Sequence, residues 1–233
     1  MEHRTAIITA ASRGMGAACA RELAARGYKL ALMSGTDAVE SIAEALDAKA
    51  LIGSVTSPDD LRQLVTLALS SYGRIDVVVN NTGHPVRGDL LELTDLDWLA
   101  GFDLVFLNVV RMARLVTPLM EKQGQGSIVN ITTLGAVEPS LSFPISSSLR
   151  AGLAAFTKLF ADRYANAGIR MNNVLPGFVD SYTVSDAIRE TIPMKREATV
   201  EEIAKTVAFL ASSDSAYITG QNVRVDGGQG RSF

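Results

Sequence analysis

The segment Thr5–Gly16, TAIITAASRGMG, decides the fold of this chain. It begins with an apolar run, Thr5–Ala10, that is too short for a helix and indicates a buried parallel strand. A turn with Gly14 and Gly16 follows, and an alanine-rich helical pattern then continues to Gly27, a residue type that commonly ends helices. Small residues in such a turn let the backbone approach a pyrophosphate, which the free N–H groups of a helix N-terminus attract. The segment therefore predicts the nucleotide-binding opening of a doubly wound sheet.

The same alternation of strand and helix continues along all 233 residues, with no linker, repeat or low-complexity segment. Apolar runs predict six further strands: Lys29–Ser34, Ala50–Gly53, Ile75–Asn80, Gly126–Ile131, Arg170–Leu175 and Gln221–Val225. Periodicity and capping residues predict helices at Ala38–Asp47, from the cap Ser57 to Gly73, at Asp95–Met120 and Ser147–Ala167, and from the cap Thr199 to Ala211. We expect one α/β domain over residues 1–233, a Rossmann-type parallel sheet of about seven strands with helices on both faces.

Composition narrows the function classes. A formal net charge of -3 leaves no basic footprint for nucleic acid. The lone cysteine, Cys19, excludes an internal disulfide, and with only His3 and His84 it cannot form a familiar zinc site, so no metal is expected. Neither a secretory leader nor the ~18 consecutive apolar residues of a membrane span is present. We therefore expect a cytoplasmic protein with no membrane or nucleic-acid partner.

The end of the second strand bears on cofactor choice. An acid there binds a ribose 2′-hydroxyl and repels a 2′-phosphate. This chain has Ser34-Gly35-Thr36 at that place, with its first acid at Asp37, and Arg13 in the turn is a cation that can face a 2′-phosphate. These residues favour NADP(H) over NAD(H). In the alternative interpretation, Arg13 reaches solvent or an adjacent phosphate.

Five motifs, in order along the chain, resemble those of the short-chain dehydrogenase/reductase family, and especially its 3-oxoacyl-carrier-protein reductases. They are TAASRGMG at Thr9–Gly16, NNTG at Asn80–Gly83, the helix asparagine Asn108, the turn Pro176-Gly177 and YITGQNVRVDGG at Tyr217–Gly228. Three positions depart from the family pattern. Ala10 replaces the usual first glycine, Thr82 replaces an alanine, and Ser54-Val55 replaces the Asp-Val beside the adenine.

The resemblance, together with the strand-end residues, implies a set of cofactor-binding positions. They are Thr9, Ser12, Arg13, Gly14, Met15, Gly16, Ser34, Ser54, Val55, Asn80, Thr82, Gly83, Arg150, Pro176, Gly177 and Val179.

The catalytic positions implied by the resemblance carry unusual residues. The family serine falls on Thr133, its tyrosine on Ser146 and its lysine on Arg150, while Asn108 matches the asparagine that holds a water in the proton relay. Thr133 keeps a hydroxyl for a substrate carbonyl, and Arg150 has donors for the nicotinamide ribose. Ser146 has no useful acidity near neutral pH, so the expected proton donor is missing.

Two residues are candidates for a replacement acid. His84 directly follows the fourth-strand motif and has a suitable reference pKa, and Tyr182 lies on the loop that closes over substrate in this family. In the alternative interpretation, both are ordinary loop residues. General acid catalysis contributes ~10²–10⁴-fold and positioning supplies ~7–11 kcal/mol, so hydride transfer can survive at a reduced rate without the tyrosine.

Three functions follow for consideration. The first is an oxidoreductase for a carbonyl or alcohol substrate bounded by Thr133, Glu138, Phe143, His84 and the loop Asp180–Arg196, with a non-standard proton donor. The second is a catalytically impaired relative that binds a nucleotide, a metabolite or a partner chain. The third is a lyase, isomerase or dehydratase on the same scaffold. The complete cofactor framework favours the first.

The resemblance also implies self-association. The helices Asp95–Met120 and Ser147–Ala167 are long and apolar, and the family pairs these helices between subunits. Its C-terminal strand and tail, here Gln221–Phe233, commonly join a second interface. We expect a homodimer or a homotetramer.

Overall fold

A computed structural model describes residues 3–232 and shows one parallel sheet with helices on both faces. Phe233, the last residue of the expected C-terminal interface, lies outside the described residues. The sheet has seven strands in the order β3-β2-β1-β4-β5-β6-β7. Their bounds are β1 Thr5–Thr9, β2 Lys29–Ser34, β3 Lys49–Ile52, β4 Val77–Asn80, β5 Gly126–Ile131, β6 Ile169–Pro176 and β7 Asn222–Val225. The predicted doubly wound α/β fold is confirmed.

Eight α-helices connect and flank these strands within residues 3–232. They are α1 Gly14–Ala25, α2 Ala38–Ala45, α3 Pro58–Tyr72, α4 Asp95–Phe102, α5 Asn108–Gln123, α6 Pro144–Tyr164, α7 Asp186–Thr191 and α8 Val200–Ala211. Helices α1, α2 and α8 pack on one face of the sheet, and α3, α5 and α6 pack on the other. Strand β1 shows the alternation that this requires, because Ala6 and Ile8 face the first layer while Ile7 faces the second.

Capping chemistry fixes several helix ends where the sequence predicts them. The Ser57 hydroxyl accepts a hydrogen bond from the Asp60 N–H ahead of α3, and Gly73 ends that helix with φ of 75°. Thr94 with Asp97 and Thr199 with Glu202 form two complete capping boxes, at the starts of α4 and α8. These local signals lie in the sequence itself.

The predicted helix Asp95–Met120 is wrong in detail. A π-helical turn, Asp103–Leu107, separates α4 from α5, and α5 continues through Pro118 to Gln123. Pro118 has no N–H, so the Arg114 carbonyl loses its helical hydrogen bond. Arg114 is exposed, so water can bond to that carbonyl instead. Gly124, with φ of 69°, then ends the helix.

Other boundaries shift by a few residues. Helix α6 begins at Pro144, three residues before the predicted start, because proline is suited to the first helical position. Its last predicted turn is a 3₁₀ segment, Ala165–Ala167. The short helix α7 is not predicted by periodicity. No helix among residues 3–232 is long and apolar enough to cross a membrane.

Candidate active site

The strand order reverses between β1 and β4, and the two strand ends are joined there by hydrogen bonds. The Thr9 hydroxyl donates to the Asn81 carbonyl at 2.7 Å and accepts from the Asn81 N–H at 2.9 Å. The Asn81 amide also donates to the carbonyl of Ala10 at 3.2 Å. In open α/β sheets the ligand crevice lies at such a reversal, beyond the carboxyl ends of the strands. The predicted position of the crevice therefore coincides with a rigid junction.

The glycine turn fits a pyrophosphate. A Cβ on Gly16 would lie 2.2 Å from the Ala10 carbonyl oxygen, so only glycine allows the helix to start this close to β1. Gly14 adopts φ of 54°, and Arg13 precedes α1 without a side-chain cap, which leaves the N–H groups of the first turn available. Met15 packs against the core beneath them. The geometry of this turn thus fits the phosphates of a dinucleotide.

The region predicted for the adenosine ribose is polar and carries one free cation. The Ser34 hydroxyl donates to the Ser12 hydroxyl at 2.8 Å, which ties the end of β2 to the turn. Arg13 is exposed and makes no ion pair with the described residues. The exposed Ser54 donates its N–H to Asp60, and its hydroxyl shares a hydrogen bond with Thr56 at 2.8 Å. Val55 packs against the core.

Asn80 takes part in an amide ladder that crosses four strands. Its side chain donates to Asn130 at 2.8 Å, Asn130 donates to Asn173 at 2.9 Å, and Asn173 donates to Asn222 at 2.8 Å. The Thr157 hydroxyl of α6 donates to Asn173 at 2.9 Å. The side chain of Asn80 therefore holds the strands together in this structure.

Three buried polar atoms on the expected nicotinamide side have no partner among residues 3–232: Thr82 Oγ1, Asn108 Oδ1 and Arg150 Nε. Buried polar atoms are nearly always hydrogen-bonded in a complete protein, so orphaned ones indicate groups that a ligand or water satisfies. Asn108 begins α5 directly after the π-helical turn, an interruption common at functional sites. The residues present thus fit a nicotinamide cofactor.

Turns at the ends of β4 and β6 border the same region. Gly83 has open space where a Cβ would stand, whereas a Cβ on Gly177 would approach Asp226 Cα to 3.0 Å. Pro176 ends β6, and Val179 is buried against the core and pairs with Ala198. The backbone is therefore firmly held on this side of the crevice.

The side chains at the family catalytic positions lie on two elements. Thr133 follows β5, and its hydroxyl accepts a 3.4 Å hydrogen bond from the Gly135 N–H, which leaves its proton free to donate. Ser146 lies in the first turn of α6 and is buried, and no side-chain hydrogen bond of its hydroxyl is formed with the described residues. Arg150 follows one helical turn later. No phenol or ammonium group is supplied at these positions.

Arg150 is a buried cation with no acidic partner among residues 3–232. Its side chain donates to the Ile131 carbonyl at 2.9 Å, and the residue is 4% exposed. Burial lowers the pKa of its guanidinium to about 10, so it remains charged at neutral pH. No carboxylate of residues 3–232 pairs with it.

The structure brings both candidate acids together. The rings of His84 and Tyr182 lie edge to face, with centroids 5.4 Å apart. Burial, followed by the charges of Arg150 and Arg87, lowers the pKa of His84 below its usual value. Arg87 itself lies over the Phe143 ring, with Cζ 4.5 Å from the ring centroid.

The loop between β6 and α8 covers the crevice. Two backbone hydrogen bonds close its base, from Asp180 to Ala198 at 2.9 Å and from Ala198 to Phe178 at 3.0 Å. Ser181 lies near the phosphate turn, since a Cβ on Gly14 would be 3.5 Å from Ser181 Cβ. The loop thus spans from the phosphate turn to His84.

Glu138, which the sequence predicts to border the substrate, is bound by the C-terminal tail. Glu138 accepts hydrogen bonds from the Arg231 N–H, from the Ser232 N–H at 2.6 Å and from the Ser232 hydroxyl at 2.9 Å. These hydrogen bonds, with the Arg224 charge, lower the pKa of Glu138. The expected contact of Glu138 with substrate stays a prediction, and the structure assigns its carboxylate to the tail.

Sequence reasoning missed Arg87, Asn81 and Asn130 as site residues. Arg87 lies three residues after His84 on a segment without periodicity, and its position over Phe143 depends on how two separate loops meet. For the strand asparagines the sequence does contain a signal. Asn80, Asn130 and Asn173 lie directly opposite one another on neighbouring strands. The register becomes visible only when the strand order is known.

Comparison with known proteins agrees with this geometry. The family model described as enoyl-(acyl carrier protein) reductase matches residues 9–229. The chain is 37% identical to 3-oxoacyl-[acyl-carrier-protein] reductase of Synechocystis sp., over 97% of this chain and 96% of that protein. It is 33% identical to the FabG reductase of Staphylococcus epidermidis, over 97% and 98% of the two chains.

The fold also matches a solved structure. The crystal structure of YwfH, an NADPH-dependent reductase involved in bacilysin biosynthesis, superposes with a TM-score of 0.94 at 29% sequence identity. The match covers 99% of this chain and 100% of that one. The chain belongs to the short-chain dehydrogenase/reductase family of oxidoreductases, and it resembles the 3-oxoacyl-carrier-protein reductases within that family.

Proposed function

We propose that this protein transfers a hydride between NADP(H) and a carbonyl or alcohol substrate, with His84 as the proton donor that replaces the family tyrosine. A bound nicotinamide supplies or accepts the hydride. Reduction of a carbonyl leaves an oxygen that needs one proton, and a protonated ring nitrogen of His84 delivers it. The observation that carries this proposal is the placement of His84 beside Tyr182 and within electrostatic range of Arg150, while the buried Ser146 at the family tyrosine position has no acidic proton.

The remaining residues have supporting roles in this proposal. The free hydroxyl proton of Thr133 orients the substrate carbonyl, and the orphaned Asn108 Oδ1 holds a water behind the site. The Tyr182 ring packs against the imidazole and limits its orientation. Arg150 lies near the nicotinamide ribose, where its unpaired Nε can donate.

NADP(H) is the preferred cofactor in this proposal. Strand β2 ends at Ser34, whose hydroxyl donates to Ser12, so the last residue of the strand is not the acid that would repel a 2′-phosphate. Arg13 is exposed at the start of α1 and has no ion pair with the described residues. The structurally similar YwfH is an NADPH-dependent reductase, which supports the same preference.

A catalytically impaired relative that binds a nucleotide, a metabolite or a partner chain is the second candidate. Two observations favour it: Ser146 lacks an acidic proton, and Ala10 adopts a backbone conformation suited to glycine. Under this function the protein binds a dinucleotide but reduces no carbonyl.

Calorimetric titration with NADPH and NADH, followed by turnover against a carbonyl panel, tests the proposal. We expect tighter binding of NADPH and measurable oxidation of it by at least one carbonyl. Arg13→Met should weaken NADPH binding and leave NADH binding nearly unchanged, whereas Arg21→Met, on the exposed side of α1, should alter neither. Binding without turnover would favour the second candidate, and failure of both nucleotides to bind at millimolar concentration would exclude the first.

We also propose that the protein is a homodimer or a homotetramer. Leu96, Leu99 and Phe102 lie exposed along α4, and Leu159 is exposed on α6. An aromatic row joins these helices, because Phe102 stacks on Phe106 at 5.1 Å and Phe106 contacts Phe156 at 5.9 Å. Apolar faces of this kind are typical of subunit interfaces.

A further inference from the structure

Arg150 has a charge that the described chain does not neutralise. A buried cation is normally paired with an acid, because an unpaired one is costly to keep in a low-dielectric interior. The only side-chain hydrogen bond of Arg150 within residues 3–232 goes to the neutral carbonyl of Ile131, and its Nε has no partner. The hydroxyls of a cofactor ribose are also neutral. A nicotinamide ribose therefore cannot neutralise the charge of Arg150, and the site still needs an anion.

The start of α6 adds further donors next to this cation. The helix is 21 residues long, and Phe143 precedes it without a side-chain cap. Pro144 has no N–H, and the Ile145 and Ser146 N–H groups have no acceptor among the described residues. Ser146 and Arg150 are four residues apart, so they lie on the same face of the helix. The positive end of the helix and the guanidinium thus point to a common region.

A second arginine stands over the same end of the helix. Arg87 lies above the Phe143 ring, with 4.5 Å between Cζ and the ring centroid. It is exposed and has no ion pair with any described residue. Arg87 lies on the same loop as His84. The charges of Arg87 and Arg150 both lower the pKa of His84, so both guanidinium groups are within electrostatic range of the imidazole. We refer to His84, Arg87, Ser146 and Arg150 together as the cationic cleft.

We propose that the cationic cleft binds a carboxylate carried by the substrate, so that the substrate is an oxo acid or a hydroxy acid rather than a neutral carbonyl compound. Two guanidinium groups, unpaired helix N–H groups and a serine hydroxyl are a matching set of donors for one carboxylate. This proposal rests on the proposed oxidoreductase function, which it extends to a substrate class.

The cofactor phosphates are the other possible anions. They belong at the Gly14 turn, which lies beside Ser181, whereas His84 contacts the next residue, Tyr182. Ser181 therefore lies against the phosphate turn, and Tyr182 lies against the cationic cleft. We therefore assign the cofactor phosphates to the turn and the substrate carboxylate to the cleft.

The same arrangement gives His84 a reason to become charged only when substrate is bound. Arg150 from α6 and Arg87 from its own loop face the imidazole, while Tyr182 from the covering loop contributes a neutral ring. A bound carboxylate offsets both positive charges and favours the imidazolium form. The acid is then protonated next to the carbonyl that needs the proton.

Proton NMR of the histidine rings tests the carboxylate site without relying on turnover. The chain has only two histidines, and His3→Gln assigns the His84 signals. Pyruvate, acetoacetate and levulinate are compared with their methyl esters, each with and without NADP⁺. We expect the acids to raise the pKa of His84 and the esters to leave it unchanged, in both cofactor states. Equal effects of acid and ester would overturn the proposal, and a shift caused by NADP⁺ alone would assign the anion to the cofactor.

Variants separate this inference from the proposed function. We expect Arg87→Met to weaken binding of the carboxylates by about 10-fold or more, since a charge-assisted hydrogen bond is lost, and to leave ester binding unchanged. Arg21→Met is the matched control and should retain both affinities. Faster turnover of esters than of acids, unchanged in Arg87→Met, would overturn the carboxylate site while leaving the oxidoreductase function intact. Absence of NADPH binding would contradict the proposed oxidoreductase function and would not bear on the carboxylate site.

Discussion

Ala10 occupies the turn position where the family has its first glycine, and its φ of 48° lies in the left-handed region. That conformation brings Cβ close to the following carbonyl and costs about 1–2 kcal/mol for an L-residue. The turn retains this shape because Gly16 packs directly against the Ala10 carbonyl and Asn81 donates to it. The strain was foreseeable from the replacement of glycine, but its persistence depends on contacts with residues far along the chain.

Ala10→Gly should therefore stabilise the protein. Relief of the backbone strain outweighs the added flexibility of the unfolded chain, and we expect the free energy of unfolding to rise by about 0.5–1 kcal/mol. Urea denaturation of the protein without cofactor measures it. Ala11→Gly is the control: Ala11 is buried and has no positive φ, so that change should destabilise. An equal loss of stability in both variants would show that Ala10 is not strained.

The sequence could predict where some site residues lie along the chain, but it could not predict what surrounds them. The sequence placed Ser146 just before a predicted helix and Arg150 near its start, whereas in the structure both residues lie in α6, one turn apart. Spacing could not show that Arg150 lacks an acid, because that depends on every side chain packed around it. Arg87 was missed for the same reason.

At the scale of elements, the asparagine ladder explains how four parallel strands keep their register near the crevice. Asn130 lies at its centre, accepting from Asn80 and donating to Asn173. A one-residue slip of β5 would turn Asn130 to the other face and leave buried amides unpaired. The strand ends that carry Asn80 and Thr133 are fixed in this way.

Asn130→Leu should lower the free energy of unfolding by about 2–4 kcal/mol, because it leaves polar groups of both neighbours buried without partners. Denaturation monitored by circular dichroism measures this loss. Asn222→Leu is the matched control on the last strand of the sheet, where the side chain is exposed and takes part in one ladder bond. We expect less than about 1 kcal/mol there. Comparable losses at both positions would argue against a central role for Asn130.

Elements with strong local signals were predictable, and those shaped by packing were not. The capping boxes at Thr94 and Thr199 marked two helix starts correctly. The π-helical turn Asp103–Leu107 had no local signal, since its residues continue an ordinary apolar pattern. It precedes Asn108, so the interruption accompanies the placement of a site residue.

At the scale of the whole molecule, the alternating pattern was enough to predict a doubly wound parallel sheet, because crossover connections permit few arrangements. The position of the crevice followed from that topology. The closed loop over it did not, since Asp180–Arg196 has no periodic signal and its contacts reach Gly14 and His84. A single domain over residues 1–233, the cytoplasmic location and the oligomeric state stay predictions.

Leu159→Glu should shift the protein toward a monomer. Leu159 is an exposed apolar side chain on α6, and a carboxylate placed in a buried subunit interface would be desolvated without a partner. Light scattering at micromolar concentration measures the mass. Ser70→Glu on the exposed side of α3 adds the same charge elsewhere and should leave the mass unchanged. A wild-type protein that is already monomeric would contradict the expected assembly.

The most direct test of the central claim is the pH dependence of NADPH-driven carbonyl reduction in the wild type, His84→Gln and His3→Gln. We expect kcat to fall as pH rises through the pKa of His84 in the complex, because only the imidazolium donates a proton. The profile of kcat/KM should fall at lower pH than that of kcat, since burial and the charges of Arg150 and Arg87 lower the pKa of His84 in the free protein. His84→Gln should lose about 10²–10⁴-fold in kcat together with this pH dependence, and His3→Gln should match the wild type. Unchanged turnover and an unchanged pH profile in His84→Gln would contradict the account.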